Sequence, residues 1–315
     1  MFNTLVSIIV CIFITASNGY CQYSSGNLFS AARNGEIKTV DRILGEKPSQ
    51  ESLNMVLGAA VTGDQIELIK HLITKGADVN HVSSYNNNIL INAIMFDRPR
   101  AAKVLIENKA DVNVKGFRNK EHGIYITWFW TPLMCAARKG NLDLVKLLIE
   151  KKADINETGW SQSSTDKETA IDIAAYSGNT DIYHLLHKKG ARLSPFTIFK
   201  VIRGGKLEVL KLILDDKISA DSVEPVLGRT LIAEASWWNY PRIVEFLIQK
   251  KADVNLPDKE GISPLMHAAR RNNLDIIKIL FKNGADINQK QGDGTTPFLY
   301  ARDNGLNDIL NIFRE

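Results

Sequence analysis

Apolar residues recur along most of the chain at intervals of three and four, the period of a helix buried along one side. In the stretch LDLVKLLIE (142–150) the apolar positions are Leu144, Val145, Leu147, Leu148 and Ile149, a stripe broad enough for a helix packed on two sides. The stretches EIKTVDRIL (36–44) and NLDIIKILF (273–281) repeat the pattern. A shorter apolar segment precedes each of them. It carries a small pair, two variable positions and then glycine, as in Ala31-Ala32-Arg33-Asn34-Gly35, Ala59-Ala60-Val61-Thr62-Gly63 and Ala136-Ala137-Arg138-Lys139-Gly140; Asn272 replaces the glycine in a fourth copy, Ala268 to Asn272. Alanines make a thin helix that neighbours can approach closely, and the glycine can take a positive φ and close it. The pattern therefore predicts pairs of short helices joined by tight turns.

Two further markers fix the period. Thr131-Pro132-Leu133, Ser263-Pro264-Leu265 and Thr296-Pro297-Phe298 open the shorter segment. A Thr or Ser hydroxyl accepts a bond from a free first-turn amide, and proline suits the first helical position, where no amide bond is needed. A tetrapeptide follows the longer segment: Ala77-Asp78-Val79-Asn80, then copies beginning at Ala110, Ala153, Ala252 and Ala285, with degraded ones at Ala191 and Ala220. The steps between copies are 33, 43, 38, 29, 32 and 33 residues. A base period of 33 with two insertions and one shortened unit accounts for them. Asp and Asn bond their own backbone, so the recurrent Asp78, Asp111, Asp154, Asp253 and Asp286 are turn residues rather than an acid pair.

The segments TPLMCAARKGNLDLVKLLIEKKADIN (131–156) and SPLMHAARRNNLDIIKILFKNGADIN (263–288) resemble ankyrin repeats. About nine such units cover 27–315. The resemblance implies an all-α solenoid of helix-turn-helix units with short β-hairpins, curved so that hairpins and first helices line a concave face. It also implies a module that binds macromolecules. The chain departs from the family in places. Met134 and Met266 stand where the family has a histidine. The third unit opens with Asn88-Ile89-Leu90, without Thr-Pro, and has Pro99 at the start of its second helix. The sixth unit, 195–223, is the most degenerate, and the last ends without a closing hairpin, as a C-terminal cap would.

Positions that vary from unit to unit are where specificity is expected. By the resemblance, the pair after Ala-Ala ends the first helix facing the groove. Arg203 falls in this slot too; singled out along the stack are Arg138 and Lys139, Tyr176, Trp237 and Trp238, and Arg270 and Arg271, with Tyr240 close by. Tyr, Trp and Arg are enriched at interface hot spots, so these residues are candidate partner contacts. The alternative for the tryptophans is that one of them fills a gap left by the degenerate unit. A second candidate is the insertion at 115–130, KGFRNKEHGIYITWFW. Its polar first half suits a hairpin tip and its second half suits a strand. Alternation places Ile124, Ile126, Trp128 and Trp130 on one face and Tyr125, Thr127 and Phe129 on the other. Such a strand either folds back on its own repeats or offers a patch to a partner. The insertion at 157–168 adds Trp160 on the neighbouring hairpin, within reach of the first.

Charge and composition exclude more than they assign. The chain has 315 residues, 44% hydrophobic and 23% charged, with a formal net charge of +4. Its basic residues are scattered among acidic ones, which argues against nucleic acid, where a basic stripe is expected. Residues 5–16 (LVSIIVCIFITA) form an apolar run of 12, shorter than the about 20 a bilayer span needs. We read 1–19 as a secretory signal peptide cleaved after Gly19, although the MFNT start carries no basic residue, and 20–26 as a short linker. An uncleaved anchor, giving a membrane-tethered or cytosolic adaptor, is the alternative. Cys11, Cys21 and Cys135 make no disulfide framework, and the bulky Tyr20 argues against a lipidated Cys21. His184 and His187 lie three apart on a helix, a spacing two metal ligands can use, but no third ligand accompanies them. With no phosphate loop or nucleophile elbow in the chain, the metal-dependent enzyme is the weakest reading. The expectation is a secreted or periplasmic, monomeric, non-catalytic module that binds a protein partner and needs no cofactor.

Overall fold

The computed structural model describes residues 22–82, 88–121, 124–161, 164–215 and 218–314; within these, side chains are described outside 22–26, 117–128, 161, 164–166 and 215. The segment 1–19 read as a signal peptide lies outside the described residues. The chain divides into two compact units, Met1–Ala170 and Ile171–Glu315. Among the described residues, eighteen helices form nine antiparallel pairs, so the molecule is mostly helical.

The first unit holds α1 (Gln22–Asn34), α2 (Ile37–Leu44), α3 (Gln50–Thr62), α4 (Ile66–Thr74), α5 (Ile89–Met95), α6 (Pro99–Glu107), α7 (Pro132–Lys139) and α8 (Leu142–Glu150). First helices stack on first helices, α1 on α3, α3 on α5 and α5 on α7; second helices do the same, α4 on α6 and α6 on α8. The α7 pair shows why. The Thr131 hydroxyl accepts the Met134 amide at 3.3 Å, Pro132 takes the first turn, and Gly140 closes the helix at φ 73°. Leu133 to Ala137 are all buried, so α7 is covered on every side, whereas α8 buries only the stripe Leu144, Val145 and Leu148. Cys135 sits in the α7 core, where burial pushes its thiol up to about 12, so it is not a nucleophile.

The second unit holds α9 (Ala170–Ser177), α10 (Thr180–Lys188), α11 (Thr197–Arg203), α12 (Leu207–Asp215), α13 (Leu231–Trp237), α14 (Pro241–Gln249), α15 (Pro264–Arg270), α16 (Leu274–Lys282), α17 (Pro297–Asp303) and α18 (Asn307–Ile312). Here α11, α13, α15 and α17 stack in order. The degenerate pair α11/α12 keeps a full core of Phe199, Val201, Ile202, Val209, Leu210 and Ile213. It lacks a Thr-Pro start, and its anchor comes from the preceding pair. Asp172 in α9 accepts the Ser194 amide at 2.7 Å and the Thr197 hydroxyl at 2.5 Å.

The recurrent tetrapeptide does two jobs. Asp makes the turn: the Asp78 carboxylate accepts the Asn80 amide at 2.8 Å, and Asp111, Asp154, Asp253 and Asp286 repeat this. Asn joins neighbours. Its side-chain oxygen accepts the Asp amide of the next copy, Asp111 on Asn80, Asp154 on Asn113 and Asp286 on Asn255, at 2.7 to 2.9 Å. The degraded copy follows the same rule and corrects its register. Asp221 accepts the Asp253 amide, and Ser219 accepts the Asp221 amide. Asp221 therefore fills the Asn slot, and Ile218, not Ala220, fills the Ala slot.

One slot ahead of this tetrapeptide needs a positive φ. Gly76 and Gly284 hold it at 94° and 86°, but Lys109, Lys152 and Lys251 hold it at 68°, 66° and 65°. A side chain there costs roughly 1–2 kcal/mol, partly offset because glycine loses more chain entropy on folding. Lys152→Gly is expected to raise stability by about 0.5–1 kcal/mol in chemical denaturation, because the bonds around the slot are backbone bonds it leaves intact.

Candidate functional site

Two regions carry the aromatic residues singled out above. In the first unit, the insertion between α6 and α7 forms strands β1 (Phe117–Glu121) and β2 (Ile124–Trp128), and that between α8 and α9 forms β3 (Gly159–Ser161) and β4 (Ser164–Glu168). The hairpins join into one antiparallel sheet in the order β1-β2-β3-β4, with Trp128 opposite Ser161. The Phe129 amide donates to the Trp160 carbonyl at 2.8 Å, and the two rings stack with centroids 4.3 Å apart. Gly159 permits this approach, since a Cβ there would stand 2.6 Å from the Phe129 carbonyl oxygen.

This arrangement corrects part of the expectation. Strand β2 ends at Trp128, and Phe129 and Trp130 follow it, the Gly116 amide donating to the Trp130 carbonyl at 3.3 Å. Trp130 is buried, at 6% exposure, so its side chain is not part of an exposed patch. Phe129 is half-buried under Trp160, which remains 43% exposed. Tyr125 and Trp128 lie on β2, and their side chains are outside the described residues.

The second region is a polar and aromatic network in the second unit. Glu234 points from α13 into the stack and is fully buried. One of its oxygens accepts Arg203 Nε from α11 and the Trp238 indole N–H at 3.0 Å; the other accepts Arg229 Nη1 at 2.8 Å. Burial by itself would raise the carboxyl pKa, but the bonds from Arg203 and Arg229 outweigh it and hold the group below the ordinary glutamate range. The ring of Trp237 is half-buried and already engaged. The guanidinium carbons of Arg271 and Arg229 lie 4.8 Å and 5.5 Å from it, and the His267 ring meets it edge-on at 5.8 Å. Trp237 thus packs forward onto α15, with its ring held between side chains of its own chain. Trp238 is the tryptophan that faces outward, at 42% exposure.

His267 continues the network. Its Nε2 lies 2.9 Å from Asp258 Oδ2. Burial pushes its imidazole down to about 4 against the raising pull of Asp258, so the ring is neutral at physiological pH. A carboxylate only accepts, which places the remaining proton on Nε2. Asp258 also accepts the Glu260 and Ile262 amides, so it shapes the turn that leads into α15.

Around this core the surface is cationic and apolar. Arg203, Arg270 and Arg271 are exposed. Arg270 donates to Gln291 at 2.7 Å, while Arg271 has no carboxylate partner among the described residues. The turn before α13 exposes Val226 at 67% and Leu227 at 47%. It is held by Lys259, whose Nζ donates to the Pro225 and Val226 carbonyls, both at 2.9 Å. Tyr240 is half-buried and donates its hydroxyl to the Arg203 carbonyl at 3.1 Å, beside a cleft of about 560 Å³ between the turns that open α12 and α14. Gly205 makes room for that ring, because a Cβ there would lie 2.7 Å from it and the residue has φ 65°.

The remaining candidates stand apart. Arg138 and Lys139 are exposed at the end of α7, and Tyr176 is half-buried at the end of α9 with Lys200 5.9 Å over its ring. His184 and His187 flank Tyr183, His187 stacked on it at 5.9 Å and His184 edge-on at 6.2 Å. Among the described residues no group of three His, Cys, Asp or Glu side chains converges as a metal would need. No helix among them is long and apolar enough to cross a membrane. Sequence reasoning placed Arg203 in the variable slot without singling it out, and missed Arg229, Glu234 and the Val226-Leu227 turn as parts of a site. The available clue was a buried-slot carboxylate, Glu234, one period before His267.

Comparison with known proteins gives one family. The model of ankyrin repeats (3 copies) matches residues 28–116, 118–197 and 235–315. The stretch it leaves out contains Arg203, Val226, Leu227, Arg229 and Glu234. The chain is 28% identical over 251 residues, 76% of its length, to an ankyrin repeat and KH domain-containing protein of Caenorhabditis briggsae, covering 9% of that protein. It is 25% identical over 266 residues to the human transient receptor potential cation channel subfamily A member 1, 78% of the chain and 23% of the channel. It is 28% identical over 220 residues to dog inversin, 70% of the chain and 17% of inversin. The chain thus spans less than a quarter of each of these relatives.

Proposed function

The chain belongs to the ankyrin-repeat family, and from that premise we propose that it is a non-catalytic module whose protein partner docks on the concave side implied by the family fold, at the ends of α11, α13 and α15 and the turn before α13. Ankyrin repeats in general are protein-interaction modules. The observation that carries the finer reading is the coincidence of two features. Arg203, Arg229 and Glu234 lie in the stretch the family model leaves out, and they form an ion-pair network centred on the buried Glu234 carboxylate, which also accepts the indole N–H of the exposed Trp238. A tryptophan fixed by its indole N–H has little side-chain entropy left to lose on binding. The exposed Trp160 on the four-stranded sheet is a second contact point within this reading.

Affinity capture from the native source tests it. Wild type, Trp238→Ala and Trp160→Ala are compared after circular dichroism shows all three folded. The expected result is a partner held by wild type and lost, by about tenfold or more in yield, from Trp238→Ala. Equal retention by all three would remove both tryptophans from the interface.

We further propose that the chain is exported. The apolar run 5–16, ending in Ala16 and followed by Ser17 and Gly19, supports this. Sequencing the mature protein from its native source is expected to start at Tyr20. A start at Met1 or Phe2 would instead support the tethered or cytosolic adaptor.

A further inference from the structure

Resting on the docking surface just proposed, the geometry points to the chemistry of its partner: we infer that Trp238, Arg271 and the Val226-Leu227 turn receive a short acidic segment that also carries a large apolar side chain. The argument is one of charge and satisfaction. Four arginines converge on this part of the second unit: Arg203, Arg229, Arg270 and Arg271. The carboxylates facing them are unequal to the task. Glu234 is buried and consumed by Arg203, Arg229 and the Trp238 indole. Asp258 is consumed by His267 and two backbone amides. Asp293 lies near Arg270, but is itself bonded to Gln291 and the Thr295 amide. That leaves Arg271 exposed with only the Trp237 ring beneath it, and Arg203 exposed with one nitrogen occupied.

A guanidinium backed by an aromatic ring is held in one orientation with its outer edge in water. That edge presents parallel N–H donors, a fork that fits a carboxylate. The apolar half of the recognition lies beside it. Trp238 shares a Glu234 oxygen with Arg203, so the exposed indole stands next to the Arg203 guanidinium, and Arg271 lies on the ring of the adjoining Trp237. The Val226-Leu227 turn precedes Arg229 directly in the chain, and Lys259 adds a further cation at its edge. A partner with carboxylates alone would leave Trp238, Val226 and Leu227 uncovered. An uncharged apolar partner would bury Arg271 unpaired, which is costly. A segment combining Asp or Glu with a large apolar residue satisfies both.

The test is a selection from a random peptide library displayed on phage, with the full folded chain as bait and Trp238→Ala as the counter-selected bait. Recovered peptides are resynthesised and titrated by fluorescence anisotropy. Peptides rich in Asp and Glu around a Leu, Phe or Trp are expected. Their binding should weaken with added salt, drop about tenfold with Trp238→Ala, and drop roughly three- to tenfold with Arg271→Gln, while Arg271→Lys retains part of it. Neutral or basic peptides that still depend on Trp238 would overturn the acidic chemistry and leave the docking surface standing. Peptides indifferent to Trp238 and Arg271, or no enriched peptides, would overturn both. Displacement of a bound acidic peptide by a single-stranded oligonucleotide, with loss of the peptide effect on Trp238 fluorescence, would reassign the cations to phosphate recognition and overturn the inference.

Discussion

Glu234→Ala is expected to lower the free energy of unfolding by about 3–5 kcal/mol, because it leaves the largely buried Arg229 without its counter-charge and opens space in the α13 core. Urea denaturation followed by circular dichroism measures it. Glu234→Gln keeps the shape and one acceptor and should fall between wild type and alanine. Replacing the carboxylate also frees the indole of Trp238, so its fluorescence is expected to move toward that of a solvated tryptophan. A loss under about 1 kcal/mol would mean that the two arginines find water as readily as they find Glu234.

The same network contributes to the response to acid, beside the carboxyls of Asp41 and Glu157, which are also held below their ordinary range. Glu234 has a folded pKa below its unfolded value, so its contribution is complete above the ordinary glutamate range and is lost as the pH falls through the lower folded value. His267 acts with the same sign at higher pH. Its imidazole is neutral in the fold down to about pH 4 but protonates near 6.5 when unfolded, so stability is complete above that value and declines as the pH falls toward 4. Acid destabilisation therefore starts with His267 and steepens with Glu234. Replacing His267 by Phe should remove the first part and leave the second.

Asp172→Ala is expected to cost about 2–3 kcal/mol, since it strands the Ser194 amide and the buried Thr197 hydroxyl together. The α11/α12 pair has no Thr-Pro cap of its own, so the loss should be local as well as global. Hydrogen exchange is expected to quicken first in α11. Uniform acceleration through the second unit would show that this pair never opens separately.

These residues also show what a sequence discloses and what it withholds. Thr131, Ser263 and Thr296 announce themselves as caps because their partners are three residues away. The period and the buried alanines are legible for the same reason, as they follow from local spacing. The bridging role of Asn80, Asn113 and Asn255 is not legible in one copy, because the amide that each accepts is 31 or 41 residues further on. Alanine matching placed the degraded tetrapeptide two residues late, since only Asp221 reaching Asp253 reveals the register. Glu234 is harder still. It occupies the slot that holds Cys135 and His267 in other units, and its meaning depends on pairing with Arg203 and Arg229, which the repeat pattern does not supply. The fate of Trp130 and Phe129 turned on β2 pairing with β3, a contact between two insertions that the repeat period does not describe.

That pairing constrains how this chain can have changed over time. Stacks of equivalent repeats lengthen and shorten by whole units, since every joint resembles the next and a duplicated pair meets familiar neighbours. The α7/α8 pair is different. It lies between the two hairpins whose strands hydrogen-bond past it, so an extra unit inserted there would part β2 from β3 and expose two unsatisfied strand edges. A duplication or deletion at this point is expected to cost stability, as it would at the joints held by Asp172 and by Glu234. The two insertions therefore have to keep one repeat between them for their strands to pair.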